Sequence, residues 1–506
     1  MDAFGDLLFG LGVALQPENL VAAAIGVILG SIVGVLPGIG PLTAMSLLLP
    51  ISFQMEPIPA IILISGVYYG AMYGGSTTSI LLGVPGETSS VMTVVDGYQL
   101  RRKGRAGAAL AIAALASFAA GIISTLGLVL LAAPLAAFAL AFGPPEYFAL
   151  AVVGLSLVAV LSFGSITKGL ISAGVGLLIS TVGVDVISGI PRFTFGQPEL
   201  LGGVHVIVVV LGIFAIAEIA ESLLRPTADE ELEAGGWFSL RRLLPTRDDL
   251  RRSTGPVIRQ SLFGFLIGVL PGVGGGSASF LSYGMEKRIS KTPERFGQGA
   301  IEGVAAPEAA NNAGAQGAFV PLLTLGIPGS PAAAIVLAAL IIHGLQPGPQ
   351  LFVQRPDVVW GLIASMLIGN AMLVILNLPL VGLFVQLLRI PFPVLAVLTI
   401  LLSVVGAYAV NGSLLDIGLV IAFGALGLLM RAARYPLPPL VLALVLGPLL
   451  ERSLYQSLLI TRGDVTAMIL RPIPLVVYGI MIAVTVAMVI ARVRNKSPEE
   501  PLNSAV

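Results

Sequence analysis

The chain has 506 residues, of which 56% are hydrophobic and only 11% are charged, and its mean hydropathy is +0.98. A soluble domain carries about 25% charged residues, so this chain lacks the polar surface that contact with water requires. The net charge is zero, which gives no electrostatic basis for binding nucleic acid. Cysteine is absent, which excludes disulfides and thiolate chemistry.

Apolar runs of roughly 18 or more residues recur along the chain, and this is long enough to cross a bilayer core of about 30 Å as a helix. Examples lie at residues 106–141, 204–220 and 475–491. The sequence contains about 12 apolar segments, several of them interrupted by Pro and Gly. Composition and segment length together predict an all-α polytopic membrane protein.

Two short phrases that interrupt apolar segments each occur twice. Gly-Val-Leu-Pro-Gly-Ile-Gly at 34–40 returns as Gly-Val-Leu-Pro-Gly-Val-Gly at 268–274, and Gly-Val-Pro-Gly at 83–86 returns as Gly-Ile-Pro-Gly at 326–329. Both Pro and Gly break helices. Paired breaks at matching places in two halves of a membrane chain indicate the binding site of a transporter.

The spacing of these phrases divides the chain into two repeats. The distance is 234 residues between Pro37 and Pro271, and 243 residues between Pro85 and Pro328. Its slow growth indicates small insertions in the second copy. We predict a first membrane repeat at 20–190, a cytoplasmic connector at 225–256, a second membrane repeat at 257–450 and a C-terminal transmembrane helix at 471–493.

Loop charges indicate how the repeats are oriented, because Lys and Arg collect in short cytoplasmic loops. Residues 53–57 contain no base, whereas the equivalent loop at 287–295 holds four. After the second break the bias reverses, with four bases at 101–105 and one at 355–357. Parallel repeats would show the same bias twice, so we predict two inverted-topology repeats with broken helices and re-entrant hairpins.

The first break of each repeat is a candidate anion site. A helix that starts at a break exposes unpaired N–H groups with partial positive charge, and carboxylates bind well to such ends. The alternative is a pair of ordinary Pro/Gly kinks, but the duplication favours substrate binding. The candidate residues are Gly38, Gly40, Thr43, Gly272, Gly274 and Ser277.

Polar stretches lie near the second breaks, with four consecutive hydroxyl residues at 76–79 and a Glu- and Asn-containing stretch at 308–316 that we match to 69–79. Lipid offers no partners to such groups. They either bind a carboxylate by donation or a sodium ion through oxygen, or they join helices by hydrogen bonds worth about 0.6 kcal/mol each. The substrate-binding candidates are Ser76, Thr77, Thr78, Ser79, Asn311 and Asn312.

The second breaks are predicted to be the tips of re-entrant hairpins, which only protein or a water-filled cavity can cover. The tip residues are Pro85, Gly86, Pro328 and Gly329. Glu87 either binds a coupling cation or caps a helix, and the cap is favoured. Glu308 either binds the cation or lies on a solvated helix face. No metal site is predicted, because His205 and His343 are far apart and lack ligand spacing.

Nothing in the chain predicts an enzyme. It has no nucleophile–base constellation and no phosphate-binding loop of the G-x-x-x-x-G-K-[ST] type. Uphill transport would therefore draw on an ion gradient or on a partner. The alternatives are a channel or stand-alone exporter of small organic anions, and an intramembrane enzyme or lipid-handling protein.

The chain resembles the large membrane subunit of the tripartite tricarboxylate transporter family. The resemblance rests on five segments, at 34–40, 69–85, 268–274, 307–313 and 326–329. It implies secondary active import of tricarboxylates or related carboxylates across the bacterial inner membrane, coupled to sodium or protons and without another cofactor. It also implies a periplasmic solute-binding protein and a small four-helix membrane subunit as partners, and an elevator-type movement.

Overall fold

In a computed structural model, the structure describes residues 3–36, 40–161, 165–185, 187–224, 244–270, 274–377, 379 and 392–494. Most of the predicted connector, and Pro37, Gly38, Pro271 and Gly272 at the breaks, lie outside the described residues. The described part is almost entirely helical, apart from a two-stranded antiparallel sheet of β1 (Gly183–Val184) and β2 (Pro191–Arg192).

The helices of the first half follow in chain order. They are α1 (Ala3–Ala14), α2 (Pro17–Val35), α3 (Pro41–Ser52), α4 (Pro57–Leu82), α5 (Val91–Arg102), α6 (Ala106–Ala139), α7 (Pro144–Leu161), α8 (Ile166–Ser180), α9 (Val206–Val210) and α10 (Ala217–Leu224). A π-helical turn, Leu211–Ile216, joins α9 to α10, and short 3₁₀ turns occur at Thr88–Ser90 and Pro198–Leu200.

The second half continues in the same manner. Its helices are α11 (Arg247–Val269), α12 (Gly274–Ile289), α13 (Glu302–Gly317), α14 (Phe319–Leu325), α15 (Pro331–Ile342), α16 (Pro349–Gln354), α17 (Pro356–Asn377), α18 (Phe392–Asn411), α19 (Leu414–Ala432), α20 (Pro438–Ile460), α21 (Val465–Ile469) and α22 (Pro472–Arg494). A 3₁₀ turn, Pro293–Arg295, precedes α13.

Seven helical segments of the described residues are long and apolar enough to cross a membrane. They differ in burial: the apolar window of α4 is 94% buried, whereas those of α18 and α19 are each 28% buried. The buried helix therefore lies at the centre of the protein, and the exposed helices form its periphery. Two apolar helices, α3 and α15, have only 12 residues each. Such a helix is about 18 Å long, too short to cross a core of about 30 Å.

The repeated phrases form helix ends, as their Pro and Gly content predicts. The chain leaves α2 at Leu36 and α11 at Leu270 in extended conformation, with ψ of 112° and 125°. The helices before the second breaks, α4 and α14, end at Gly83 and Gly326 with φ of 74° and 71°. Glycine adopts this left-handed conformation without the steric cost that other residues meet.

The first glycine of the longer phrase has a second role, in helix packing. A Cβ on Gly34 would lie 2.2 Å from the carbonyl oxygen of Ala71, and one on Gly268 would lie 2.1 Å from that of Gly314. Both distances are far below van der Waals contact. The phrase therefore lets α2 approach α4, and α11 approach α13, more closely than any other side chain would permit.

A buried carboxylate joins α5 to the loop before α13. Asp96 is fully buried, and its Oδ1 accepts hydrogen bonds from the backbone N–H groups of Gly297, Gly299 and Ala300 at 2.9, 2.7 and 2.8 Å. Its Oδ2 accepts a hydrogen bond from the Tyr283 hydroxyl at 2.8 Å. Asp96 therefore satisfies donors that the loop could not otherwise pair away from water.

We expect Asp96→Ala to loosen this loop, because buried donors left without an acceptor cost about 1–3 kcal/mol each. Limited proteolysis at 293–301 should become faster, and the thermal unfolding midpoint in detergent should fall. Asp248→Ala is the control, since the Asp248 side chain is 71% exposed. Equal cleavage rates in the two variants would contradict the role of Asp96.

Candidate functional site

The first break binds a carboxylate of the chain itself. The Gly40 backbone N–H, just before α3, donates a hydrogen bond to Glu218 Oε1 at 3.0 Å, and Thr43 Oγ1 donates one to Glu218 Oε2 at 2.7 Å. These are the donors that the sequence predicted for a substrate anion. The acceptor was not predicted, although a lone carboxylate in the apolar run at 204–220 is a signal of function.

Glu218 is part of a small charge cluster. Arg431, in the last turn of α19, lies 3.8 Å from Glu218 through Nη2 and 3.1 Å from Glu221 through Nη1. Both glutamates belong to α10. The cluster places one guanidinium beside two carboxylates, and only Glu218 also contacts the break.

A second cluster surrounds Glu308, which is fully buried on α13. Its Oε2 accepts hydrogen bonds from the Ser76 hydroxyl at 2.6 Å and from the Ser117 hydroxyl at 3.4 Å, and its Oε1 accepts one from Thr93. Asn312 Nδ2 donates to Ser117 Oγ at 2.7 Å. The alternative of a solvated helix face is therefore wrong for Glu308, because its side chain is fully buried.

The Glu308 cluster joins four helices. Ser76 comes from α4, Thr93 from α5, Ser117 from α6, and Glu308 and Asn312 from α13. Sequence reasoning found Ser76, Glu308 and Asn312 as polar residues in apolar surroundings. It missed Thr93 and Ser117, since a single hydroxyl in a membrane helix more often bonds to its own backbone.

The other hydroxyl candidates serve different partners. Thr78 Oγ1 donates to the carbonyl of Val35, the last residue of α2, at 2.7 Å. Ser79 Oγ lies 2.9 Å from Ser90 Oγ, and Thr77 Oγ1 lies 3.5 Å from its acceptor, the Tyr73 carbonyl. Thr77 also lines a small cleft. The other lining residues are Tyr73, Ser76, Leu110, Ala113, Ala114, Ser117 and Asn377.

The tip of the first hairpin lies near the start of α12, which follows the break at 268–274 in the second repeat. Asn311 Nδ2 donates to Glu87 Oε1 at 3.3 Å, and Glu87 caps the 3₁₀ turn Thr88–Ser90. The favoured capping role of Glu87 fits this geometry. Asn311 is fully buried, and its Oδ1 has no hydrogen-bond partner among the described residues. That oxygen faces the start of α12, where a Cβ on Gly275 would lie 2.6 Å from it.

The two hairpin tips pack in the same way. A Cβ on Gly86 would lie 2.6 Å from the Gly75 Cα, and one on Gly329 would lie 2.7 Å from the Ala318 Cα. Pro85 and Pro328 precede these glycines. The glycine of each tip is therefore covered by protein, whereas Val84 and Pro85 of the first tip are exposed and Pro328 of the second is buried.

Contacts at the two tips are also equivalent. The Tyr68 hydroxyl lies 3.4 Å from Ser330 Oγ, and Asn311 contacts Glu87. Tyr68 and Asn311 are 243 residues apart, as are Glu87 and Ser330. A helix of each half thus contacts the hairpin of the other half.

The remaining candidates lie at the start of α12. Gly274 is buried, and a Cβ on it would lie 3.0 Å from the Ser330 Cβ at the second tip. Ser277 is half-buried one turn into the helix. The described residues contain no group of three or more His, Asp or Glu side chains placed to hold a metal ion.

Seven membrane-length apolar segments within the described ranges, together with buried polar clusters between broken helices, define a multi-pass helical membrane protein. The chain belongs to the tripartite tricarboxylate transporter TctA family, whose model matches residues 20–442. This match confirms the resemblance seen in the sequence. The family is one of transporters, which fits the expectation that the chain is not an enzyme.

Two similar proteins come from Agrobacterium vitis. The chain is 48% identical over 496 residues to an uncharacterized 52.8 kDa protein in the TAR-I ttuC' 3' region, covering 98% of each chain. It is 47% identical over 234 residues to an uncharacterized protein in the TAR-II ttuC' 3' region, covering 46% of this chain and 96% of the relative. No solved structure matches the chain.

Proposed function

We propose that the chain is the large translocating subunit of a cation-coupled, binding-protein-dependent secondary transporter that imports tricarboxylates or related carboxylates across the bacterial inner membrane. The observation that carries this proposal is the carboxylate held by Gly40 and Thr43 at the start of α3. It supports the use of a broken helix end and a hydroxyl as the hydrogen-bond donors to a carboxyl group, with Arg431 Nη2 3.8 Å away. The family supplies the expected partners, a periplasmic binding protein and a small four-helix membrane subunit.

Inverted repeats at 20–190 and 257–450, with about 12 membrane segments in all, are part of the proposal. Reciprocal packing supports them: α20 of the second half packs on α7 and α8, and the π turn before α10 packs on α18 and α19. Ion pairs cross in the same reciprocal way. Arg192 Nη1 lies 2.6 Å from Glu451 Oε1, and Arg431 Nη1 lies 3.1 Å from Glu221 Oε2.

The coupling ion, sodium or proton, is proposed to bind at Glu308. Its buried carboxylate lies between α4, α5, α6 and α13, with hydroxyl oxygens on both sides. Carboxylate and hydroxyl oxygens are suitable ligands for a hard cation, and a carboxylate can also carry a proton. The helices that bear the hairpins would move past the peripheral helices in an elevator-type step.

The substrate site is tested with Asn311→Ala and Ser76→Ala, with citrate and succinate as probes. We expect each variant to lower initial uptake roughly tenfold. Each removes a hydrogen bond to a charged group, Glu87 for Asn311 and Glu308 for Ser76, and such a bond contributes about 1.5–3 kcal/mol. Asn411→Ala is the control, since Asn411, the last residue of α18, is exposed and donates a hydrogen bond to Asp416. Size-exclusion profiles in detergent must stay unchanged for the comparison to hold.

Normal uptake by both site variants would contradict the site assignment. Anion flux in proteoliposomes that contain only this chain, with no gradient or binding protein, would favour a channel or stand-alone exporter. Uptake that requires the binding protein and a sodium or proton gradient would support the proposal.

A further inference from the structure

Resting on the proposed function, we infer that Glu218 is a gating residue. Its carboxylate occupies the carboxylate subsite at the start of α3, and a substrate carboxylate must displace it before binding there. Glu218 is thus an internal competitor, tethered to α10, that keeps this half of the site closed while substrate is absent.

The contact geometry makes the two carboxylates mutually exclusive. Glu218 uses both oxygens, one with the Gly40 N–H and one with the Thr43 hydroxyl. These are charge-assisted hydrogen bonds of the kind that a substrate carboxylate would need. The Gly40 N–H and the Thr43 O–H each have one hydrogen to donate, and Glu218 accepts both, so a second carboxylate cannot bind to them at the same time.

A π turn before α10 orients the Glu218 side chain toward the break. The π turn Leu211–Ile216 ends two residues before Glu218 and adds a residue to the turn, which rotates the residues of α10 by about 100° relative to a regular helix. Close packing on α19 fixes the turn. A Cβ on Gly212 would lie 2.7 Å from the Val420 carbonyl oxygen, and one on Gly427 would lie 2.8 Å from the Ile213 Cα. The Glu218 side chain is therefore aimed at the break by the backbone.

Arg431 is a second partner for the Glu218 carboxylate once substrate displaces it. Arg431 Nη2 is 3.8 Å from Glu218 Oε2, close enough to attract the charge and too far for a direct hydrogen bond. When substrate takes the donors of Gly40 and Thr43, Glu218 can turn to Arg431 without leaving a charge unpaired. The displacement then costs one exchange of partners rather than the burial of a bare carboxylate.

The second half of the molecule has no such occupant in its described residues. The glutamate of α20, Glu451, instead pairs with Arg192 at 2.6 Å. Near the start of α12 stands Asn311, whose Oδ1 is unpartnered. Among the described residues the two breaks therefore differ: Gly40 and Thr43 donate to a carboxylate of the chain, and no such contact occurs at the start of α12.

Uptake kinetics test the competition in cells that carry the complete transporter, with citrate and succinate as probes. We expect Glu218→Ala to lower KM roughly tenfold, since removing the competitor frees hydrogen bonds to a charged group. Glu218→Gln should lower KM less, because the amide oxygen still accepts weakly. Glu221→Gln is the control; it shares Arg431 but does not contact the break, and its KM should stay within about twofold of wild type.

Thiol labelling tests occupancy without any transport. Because the chain has no cysteine, Thr43→Cys introduces a single thiol beside Glu218. A small sulfonate-bearing thiol reagent should label it at least threefold faster when Glu218→Ala is also present, but not when Glu221→Ala is present. Equal labelling in all three backgrounds, or an unchanged or raised KM in folded Glu218→Ala protein, would overturn the inference. A wild-type chain that transports neither probe would count against the proposed function, and the labelling rates would still decide whether Glu218 fills the break.

Discussion

Replacing Glu308 with glutamine is expected to reduce gradient-driven uptake roughly 100-fold while leaving the protein folded. No Lys or Arg lies within ion-pair distance of Glu308 in the part of the chain that the structure describes. A carboxylate in such surroundings is costly unless something neutralises it. A bound proton or metal cation does so, and only the carboxylate, not the amide, can carry either.

The fold should survive this change because glutamine has nearly the same shape. Its amide oxygen can still accept a hydrogen bond from Ser76 or Thr93, so the cluster keeps part of its bonding. Uptake driven by a sodium gradient and by a pH gradient should be measured separately, together with counterflow of labelled citrate at equal ion concentrations. Loss of driven uptake with retained counterflow would assign Glu308 to coupling.

Glu302→Gln is the matched control, since Glu302 lies at the first turn of the same helix. Its side chain is paired with Arg252 at 2.8 Å near the protein surface and does not reach the cluster. We expect uptake within about twofold of wild type. Driven uptake by Glu308→Gln equal to that of this control would show that the coupling ion binds elsewhere.

Features set by local chemistry could be predicted from the sequence. Pro and Gly determine where helices end within a few residues, so the breaks near 36–40 and 270–274 and the hairpin turns after Gly83 and Gly326 could be located from the repeated phrases. The capping role of Glu87 is also local, because its partners Ser89 and Ser90 are its neighbours in sequence.

Contacts across the fold could not be predicted in the same way. Glu218 and Gly40 are 178 residues apart, and Thr93 and Glu308 are 215 apart. No periodicity or spacing in the sequence indicates that two residues so far apart are in contact. The only signal for Glu218 was an acidic residue in an apolar run, and that signal names no partner.

One match between the halves was wrong in register. The sequence comparison set 69–79 against 308–316, which gave each break a polar stretch of its own. The hairpin contacts instead pair Tyr68 with Asn311, at the 243-residue spacing of the tips. At that spacing the hydroxyls of 76–79 correspond to the apolar residues of 319–322. Ser76 joins Glu308 and Asn312 in one cluster, so the polar groups form a single asymmetric site.

Gly268→Ala is expected to destabilise the protein by about 3 kcal/mol, the upper part of the range for overpacking. The added Cβ would lie 2.1 Å from the Gly314 carbonyl oxygen and 2.7 Å from its Cα. Both obstacles are backbone atoms of α13, so no side chain can rotate away. The helix α11 must move from α13, which also carries Glu308 and Asn311.

The same helix contains its own control. Gly255 is exposed on α11, and a Cβ there would meet nothing within 4 Å. Gly255→Ala should therefore change the stability by less than about 1 kcal/mol, because the smaller loss of backbone entropy is offset by crowding of the alanine Cβ against the ring of Pro256. The check is the thermal unfolding midpoint of each variant in detergent. A midpoint for Gly268→Ala equal to that of Gly255→Ala would mean that Gly268 is needed only for the break. A clearly lower midpoint would mean that the repeated phrase has two roles: its first glycine lets α11 pack closely on α13, and its Pro and Gly residues end α11 beside the site.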